Sequence, residues 1–208
     1  MILIGQFDSP FVRRVAIAMR LYGIGFEHRP WSVFGDAEKI AAVNPMRRVP
    51  TLVLDDGEVL IESAAILDHL DEIAGRARAL IAESGVRRRQ ALKIMALGTG
   101  LADKAVALVY ERALHEATSD TWIARCRAQV ADVLTALERD RAARRGPWWF
   151  GDQLGHADIA VACALRFVRD AHGDLFDEAR FPYLAAHSAA CEALPDFIEI
   201  SQAFVPPS

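Results

Sequence analysis

Cysteine is scarce in this sequence. The 208 residues include only three, Cys126, Cys163 and Cys191, and none lies at the short spacing from another that is typical of a zinc site. An odd number of widely separated cysteines also argues against a disulfide framework. We therefore expect no metal site, and we expect the three cysteines to be small buried apolar side chains.

An excess of positive charge is also lacking. The formal net charge is −4, whereas a nucleic-acid partner requires a concentrated positive field. Basic runs do occur at 87–89 and 139–145, but they lie on predicted helices among acidic residues. That arrangement is typical of a solvated helix face, so the sequence indicates no nucleic-acid partner.

Long hydrophobic runs are absent as well. No apolar segment approaches the length that spans a bilayer, and the first residues have neither the basic region nor the long apolar region of a secretory signal. We therefore expect a cytoplasmic protein with no membrane partner. Hydrophobic residues at 52% and charged residues at 25% are typical of a globular protein, here of one or two domains.

The signals for β-strands are confined to the first third of the chain. Short apolar runs predict four strands, at 1–5, 26–31, 51–54 and 59–61. Helical spacing of apolar residues predicts one helix over 10–22 and another from Ala64 to about Ile73. The predicted order is therefore β-α-β-(α)-β-β-α.

Beyond Ala79 the pattern is helical. The segment 121–144 carries one apolar stripe, which predicts an amphipathic helix, whereas 159–168 is apolar on nearly every face, which predicts a buried helix. Strands in the first third and helices in the rest indicate an α+β protein of two domains, over residues 1–77 and 86–208.

Three short motifs stand out in the first domain, and each has a structural explanation. Ser9-Pro10 begins the first predicted helix with a preferred N-cap and a preferred first helical residue. The same helix N-terminus would also stabilise an anion. Val49-Pro50 precedes a strand, where proline favours an edge or a turn.

The third motif, Glu62-Ser63, precedes the next helix and suits an N-cap with an acidic neighbour. It also suits an amino-acid-like ligand. The carboxylate would bind the ligand's ammonium group, and the hydroxyl with the first amides of the helix would bind its carboxylate.

Taken together, these motifs resemble those of the glutathione transferase family over nearly the whole chain. The resemblance is greatest to bacterial members with a serine near the N-terminus. It is carried by Ser9-Pro10-Phe11-Val12-Arg13-Arg14, Asn44-Pro45-Met46-Arg47-Arg48-Val49-Pro50-Thr51-Leu52, Glu62-Ser63-Ala64-Ala65-Ile66-Leu67 and Gly151-Asp152-Gln153-Leu154-Gly155-His156-Ala157-Asp158-Ile159. It implies a thioredoxin-like βαβ-ββα N-terminal domain followed by an all-α helical bundle.

The resemblance also implies that glutathione is the co-substrate and that no metal is needed. Ser9 would be the catalytic residue, donating a hydrogen bond to the glutathione sulfur. Pro50 would be cis, so that the backbone of Val49 pairs with the cysteinyl unit of the tripeptide. Arg48 would lie near the glycyl carboxylate.

The γ-glutamyl end would be held by Glu62 and Ser63. Asp103 would reach the γ-glutamyl amine across the interface of a homodimer, which would form through the faces around the Ala64 helix and a helix over 91–107.

A second pocket would hold a small electrophilic substrate between the sulfur and the helical domain. Phe11, Tyr110 and Arg112 are its candidate residues, with Trp148 and Phe150 as further wall candidates, although ordinary packing also explains each of them. Transferase, peroxidase, isomerase and dehalogenase uses of glutathione stay open. A non-catalytic member that acts through protein interaction is the alternative function.

The sequence departs from the family pattern at three positions. Gly155 stands where a serine or threonine cap is usual, although Asp158 remains available at the third helical position. Arg47 replaces a common glycine. Ser9 stands where cysteine-type members have their thiol, which makes disulfide exchange on the protein improbable.

Overall fold

The computed structural model describes residues 1–206. Its strands are short and its helices make up most of the chain. In chain order the elements are β1 (Ile2–Ile4), α1 (Pro10–Tyr22), β2 (Glu27–Arg29), α2 (Ala37–Ala41), β3 (Thr51–Val53), β4 (Val59–Ile61), α3 (Ser63–Ala74), α4 (Gly85–Leu114), α5 (Asp120–Ala142), α6 (His156–Ala171), a 3-10 turn (Gly173–Leu175), α7 (Pro182–Glu192) and α8 (Pro195–Glu199).

The four strands form one mixed sheet in the order β2-β1-β3-β4. β1 pairs in parallel with β2 through the α1 crossover, and β3 runs antiparallel to both β1 and β4. Leu3 of β1 lies opposite Leu52 of β3, and both are fully buried in a core shared with α1 and α3. The thioredoxin-like arrangement and the α+β class are therefore confirmed.

α6 is the central helix of the second half. Its residues from His156 to Leu165 are all buried, and it packs against α4 and α7 on one side and against α1 on the other. The apolar character of 159–168 on every face correctly predicted this position. Because α6 touches both halves, the core of the sheet half continues into the helical half through Ile159 and Cys163.

Several helices extend beyond the predicted bounds. α4 runs from Gly85 to Leu114 rather than over 91–107, because its first turns carry the arginines of the 87–89 run, of which Arg87 and Arg89 are exposed, and so lack an apolar signal. α6 likewise begins at His156, three residues before the apolar run. The domain limits 1–77 and 86–208 stay a prediction, and residues 207–208 lie outside the described part of the chain.

The N-terminus of α6 explains one departure from the family pattern. A Cβ at Gly155 would lie 2.9 Å from the carbonyl oxygen of Leu80, and that same oxygen accepts the His156 amide at 2.9 Å. The Asp158 carboxylate accepts the Gly155 amide at 2.9 Å and the Trp149 amide at 2.7 Å. Asp158 therefore acts as the cap, as expected, and glycine is required by the close approach of Leu80.

The three cysteines are free and buried, as predicted. Within residues 1–206, no helix combines the length and the apolar character needed to cross a membrane.

Candidate active site

A cleft of about 960 Å³ lies between the loops of the sheet half and the helices α4 and α6. Six of the residues singled out in the sequence line it. These are Ser9, Phe11, Arg48, Val49, Asp103 and Tyr110. Sequence positions far apart along the chain are thus brought to one cavity.

The loop from β1 to α1 is fixed by close packing. Gly5 has a φ of +127°, and a Cβ there would lie 2.5 Å from Val12 Cγ2, so only glycine fits. The His28 ring stacks on Phe7 with centroids 3.8 Å apart, and its Nε2 bonds the Gly5 carbonyl at 2.8 Å. These contacts hold the loop that delivers Ser9 to the cleft.

Ser9 is the N-cap of α1. Its backbone is extended, and its Oγ accepts the Val12 amide at 3.4 Å. This capping bond is long for an N–H···O bond, and it uses the hydroxyl only as an acceptor. The hydroxyl hydrogen therefore remains available to a group in the cleft, at a helix end that favours negative charge.

The loop before β3 presents the Val49 backbone. The Val49–Pro50 peptide bond is cis, as predicted. Asn44 is buried beneath this loop and bonds the Arg48 carbonyl at 2.9 Å and Thr51 Oγ1 at 3.0 Å. Asn44 thus fixes the loop conformation. It is part of the 44–52 motif, but the sequence did not assign it this role.

Arg48 and Glu62 form an ion pair at 3.2 Å, with both side chains about half exposed. Glu62 itself does not line the cleft, but this ion pair places its carboxylate at the cleft margin. Glu62 has a φ of +66° and lies between the end of β4 and the first residue of α3, where the chain turns sharply. Ser63 is buried at the first position of α3 and, like Pro50, lies behind the lining.

Asp103 reaches the cleft from α4. Its carboxylate is half exposed and pairs with the neighbouring Lys104 at 2.9 Å. A contribution of Asp103 across a dimer interface stays a prediction.

Aromatic side chains form a wall of the cleft. Phe34 and Tyr110 meet edge to face at 5.2 Å, and Phe167 and Phe204 do so at 5.3 Å. Burial raises the pKa of Tyr110, the nearby Asp8 raises it further, and the Arg48 charge opposes both. The phenol is therefore a neutral hydrogen-bond donor at pH 7.

Three of the wall candidates lie elsewhere. Arg112 is exposed and its charge acts on His172 and Asp174 instead, because two residues along a helix place it about 200° from Tyr110. Trp148 packs edge to face on the His187 ring.

Phe150, the third, lies in a separate shallow depression with Arg87 and Arg144. The bulky aromatic character of Trp148 and Phe150 therefore reflects packing away from the cleft.

Sequence reasoning missed Asp8 and most of the aromatic wall. Trp31 and Phe34 come from an irregular loop, and Phe204 comes from the tail after α8, so none of them lies in a periodic pattern. The tail is held by Gln202, whose Oε1 accepts the Phe7 amide at 3.0 Å. Phe167 was recognised only as a core residue of α6.

The sequence matches two family models. Residues 3–78 match the glutathione S-transferase N-terminal domain, and residues 120–190 match the glutathione S-transferase C-terminal domain. The chain is similar to an uncharacterized GST-like protein of Escherichia coli, with 30% identity over 170 residues that cover 80% of this chain and 81% of the relative.

Two further relatives are informative. A maleylacetoacetate isomerase of Pseudomonas aeruginosa is 30% identical over 156 residues, which cover 70% of this chain and 71% of the isomerase. The crystal structure of a glutathione S-transferase of Methylobacterium radiotolerans, in complex with glutathione sulfonate, superposes with a TM-score of 0.89 at 28% identity. That superposition covers 98% of this chain and 97% of the other.

Proposed function

The chain belongs to the glutathione S-transferase family, and from that premise we propose that it binds glutathione in the cleft and activates its thiol for attack on a small hydrophobic electrophile. One observation carries this proposal. Ser9, Arg48 and Val49 line one cleft together with several aromatic side chains, and the Arg48 ion pair holds Glu62 at its margin.

The polar groups in and beside the cleft have the chemistry to hold an extended tripeptide. The backbone of Val49 would pair with the cysteinyl unit by strand addition. Arg48 would bind the glycyl carboxylate, and Glu62 with Ser63 would hold the γ-glutamyl end. The Arg48–Glu62 ion pair is half exposed and is therefore worth only about 0–1 kcal/mol, so a ligand with complementary charges would displace it at low cost.

Ser9 would lower the pKa of the bound thiol. A free thiol has a pKa near 8.5 and is only a few per cent thiolate at neutral pH. Lowering this pKa by about two units requires roughly 2.7 kcal/mol of preferential interaction with the anion. A hydrogen bond to a charged group contributes about 1.5–3 kcal/mol, and a helix N-terminus about 0.3–2 kcal/mol. The position of Ser9 offers both, with the serine as donor and water as proton acceptor.

Two measurements test this function. Calorimetric titration with glutathione should show saturable binding, and a chlorinated dinitrobenzene should be conjugated to glutathione faster than without the protein. Binding without turnover on any electrophile tested would favour the non-catalytic alternative, in which the fold serves protein interaction. Absence of binding would overturn the proposal.

An isomerase use of glutathione is the second candidate, favoured by the similarity to the Pseudomonas isomerase. In that case glutathione would add to the substrate and leave again unchanged. Conversion of maleylacetoacetate at a fixed, unconsumed amount of glutathione would support it, whereas net loss of free thiol would support transfer.

We further propose that the protein is a cytoplasmic homodimer. Three free cysteines suit a reducing compartment. Ala64 and Ala65 are exposed on α3, and Ile73 and Leu92 present exposed apolar side chains on α3 and α4, which suits a closely packed interface. Sedimentation should show a species of twice 22.9 kDa at micromolar concentration, and a monomer would contradict the proposal.

A further inference from the structure

Asp8 is the one charged group of the cleft that lacks an oppositely charged partner within residues 1–206. Each of the others has one. Arg47 pairs with Glu38 at 2.6 Å, Arg48 with Glu62 at 3.2 Å, and Asp103 with Lys104 at 2.9 Å. The charge of Asp8 is therefore not compensated by a neighbouring side chain, although the group lies beside Ser9, where the thiol would react.

The surroundings of Asp8 partly desolvate it. Burial raises the pKa of the Asp8 carboxyl from its ordinary value of 3.8, whereas the backbone N–H groups of Ser9 and Val205 act in the opposite direction. The ionised form of Asp8 is stabilised by these N–H groups but by no cationic side chain within residues 1–206. A partly buried anion without a cation is unfavourable until a positive group is supplied.

The aromatic wall adds a second attraction for positive charge. Phe11, Phe34, Tyr110, Phe167 and Phe204 all border the cavity that contains Asp8. Ring faces attract a cation placed within about 6 Å of their centres. Arg47 and Arg48 also line this cavity, but each is paired with a glutamate, so the unpaired carboxylate and the aromatic rings together favour an organic cation over a neutral molecule.

We propose that Asp8 selects the second substrate, and that this substrate is an apolar or aromatic electrophile carrying an ammonium or amidinium group. The inference rests on the proposed binding of glutathione. The apolar body would lie against Tyr110 and Phe167, its cationic group would pair with Asp8, and its electrophilic carbon would face the sulfur beside Ser9.

Another role for the same carboxylate would be to take the thiol proton directly, since Asp8 adjoins Ser9. That role predicts an effect on every electrophile alike and a shifted pH profile. Charge selection predicts an effect whose sign depends on the substituent. The two roles are therefore separable by a matched set of ligands.

The test uses three S-benzyl glutathione conjugates that differ only at the para position: aminomethyl, methyl and carboxylate. Wild type should bind the aminomethyl conjugate most tightly. Asp8→Asn keeps the size of the side chain and removes its charge. It should therefore lower the affinity for the aminomethyl conjugate by about tenfold and raise the affinity for the carboxylate conjugate. Affinity for the methyl conjugate should change by less than about twofold. Retained binding of this neutral conjugate also shows that the variant is folded.

Asp132→Asn is the matched control, because Asp132 is exposed on α5 and does not line the cleft. It should leave all three affinities as in wild type. Equal changes for all three conjugates in Asp8→Asn, or a lowered turnover with a neutral electrophile together with a shifted pH profile, would overturn charge selection. If wild type binds neither the conjugates nor glutathione, the proposed function itself fails, and the inference fails with it.

Discussion

Two roles are considered for Ser9, a helix cap and the proposed hydrogen-bond donor to a thiolate, and sequence alone could not separate them. The structure weakens the first role, because the capping bond to the Val12 amide is 3.4 Å long. The second role needs only the hydroxyl hydrogen, which no acceptor within residues 1–206 takes. Replacement of Ser9 should therefore affect chemistry more than stability.

We expect Ser9→Ala to raise the pKa of bound glutathione by about one to two units and to cut turnover at pH 7 roughly ten- to hundredfold. The pKa is measured from the ultraviolet absorbance of the bound thiolate. Affinity for glutathione should change little, because in the proposed complex other residues would hold the ends of the tripeptide. Ser9→Gly retains most of the cap and should lose activity equally. If both variants titrate and turn over like wild type, Ser9 is only a cap.

Glu62 is expected to contribute little to folding but more to the binding of glutathione. As a partner of Arg48 on a half-exposed surface it contributes little to folding. As a partner of the γ-glutamyl ammonium it would contribute more than roughly 1.5 kcal/mol to binding. Glu62→Ala should therefore weaken glutathione binding at least tenfold by calorimetry, with little change in unfolding free energy.

Glu58→Ala is the control for this measurement, because Glu58 is an exposed acid of the same charge just before β4. It separates a direct contact from a general change in charge. Equal affinities of wild type and Glu62→Ala would leave Glu62 as a helix-start residue only.

At the scale of elements, the N-terminus of α6 shows how tertiary contact overrides a local rule. By itself, a serine at 155 should stabilise the helix by capping it. In the fold, its Cβ would press on the Leu80 carbonyl, which already accepts the His156 amide. The segment that contains Leu80, between α3 and α4, and the start of α6 would both have to move.

We therefore expect Gly155→Ser to lower the free energy of unfolding by about 1–3 kcal/mol, the usual cost of overpacking, measured by urea denaturation. Gly25→Ser is the matched control, because no atom lies within 4 Å of a Cβ at Gly25. A more stable Gly155→Ser variant would show that the cap outweighs the contact with Leu80.

The order of elements could be predicted because it follows local rules, which also place Ser9 at a helix start and Val49 in the turn before a strand. Arg48 was identified only through the resemblance to the family, and the predicted residues make up a minority of the cleft lining. Arg112 lies outside the cleft lining because a helix turns by about 100° per residue, so membership of the right helix does not ensure the right face. Asp8, Phe34 and Phe204 could not be predicted, since loop and tail conformations carry no periodic signal.

At the scale of the whole molecule, the cavity joins parts of the chain that no single domain contains. The sheet half supplies Ser9, Arg48 and Phe34, while α4, α6 and the tail supply Tyr110, Phe167 and Phe204. The same junction buries titratable groups, including His156, whose Nε2 pairs with Asp71 at 2.9 Å. Stability and pH are therefore linked through side chains at the centre of the molecule.

Three buried histidines dominate this linkage. Burial lowers the pKa of His156, His172 and His187, the last from 6.5 to about 4. A histidine with a lowered pKa in the folded state contributes stability above its unfolded pKa, which is lost as pH falls from about 6.5 toward 4. Asp158 has the opposite effect on stability, because burial raises its pKa to about 6. As pH falls, its carboxylate takes up a proton in the folded state before it does so in the unfolded state, and this stabilises the fold.

Between pH 7 and pH 5, His187 should cost stability as the unfolded state takes up protons, and Asp158, whose carboxylate lies 3.8 Å from the His187 ring, should offset part of that loss. Because burial also lowers the pKa of His156 and His172, the free energy of unfolding should fall between pH 7 and pH 5, as measured by urea denaturation at each pH. His187→Gln should flatten this decline, Asp158→Asn should steepen it, and His69→Gln on the surface of α3 serves as the control. A stability that is constant or rises toward pH 5 would mean that these histidines are not held neutral by burial.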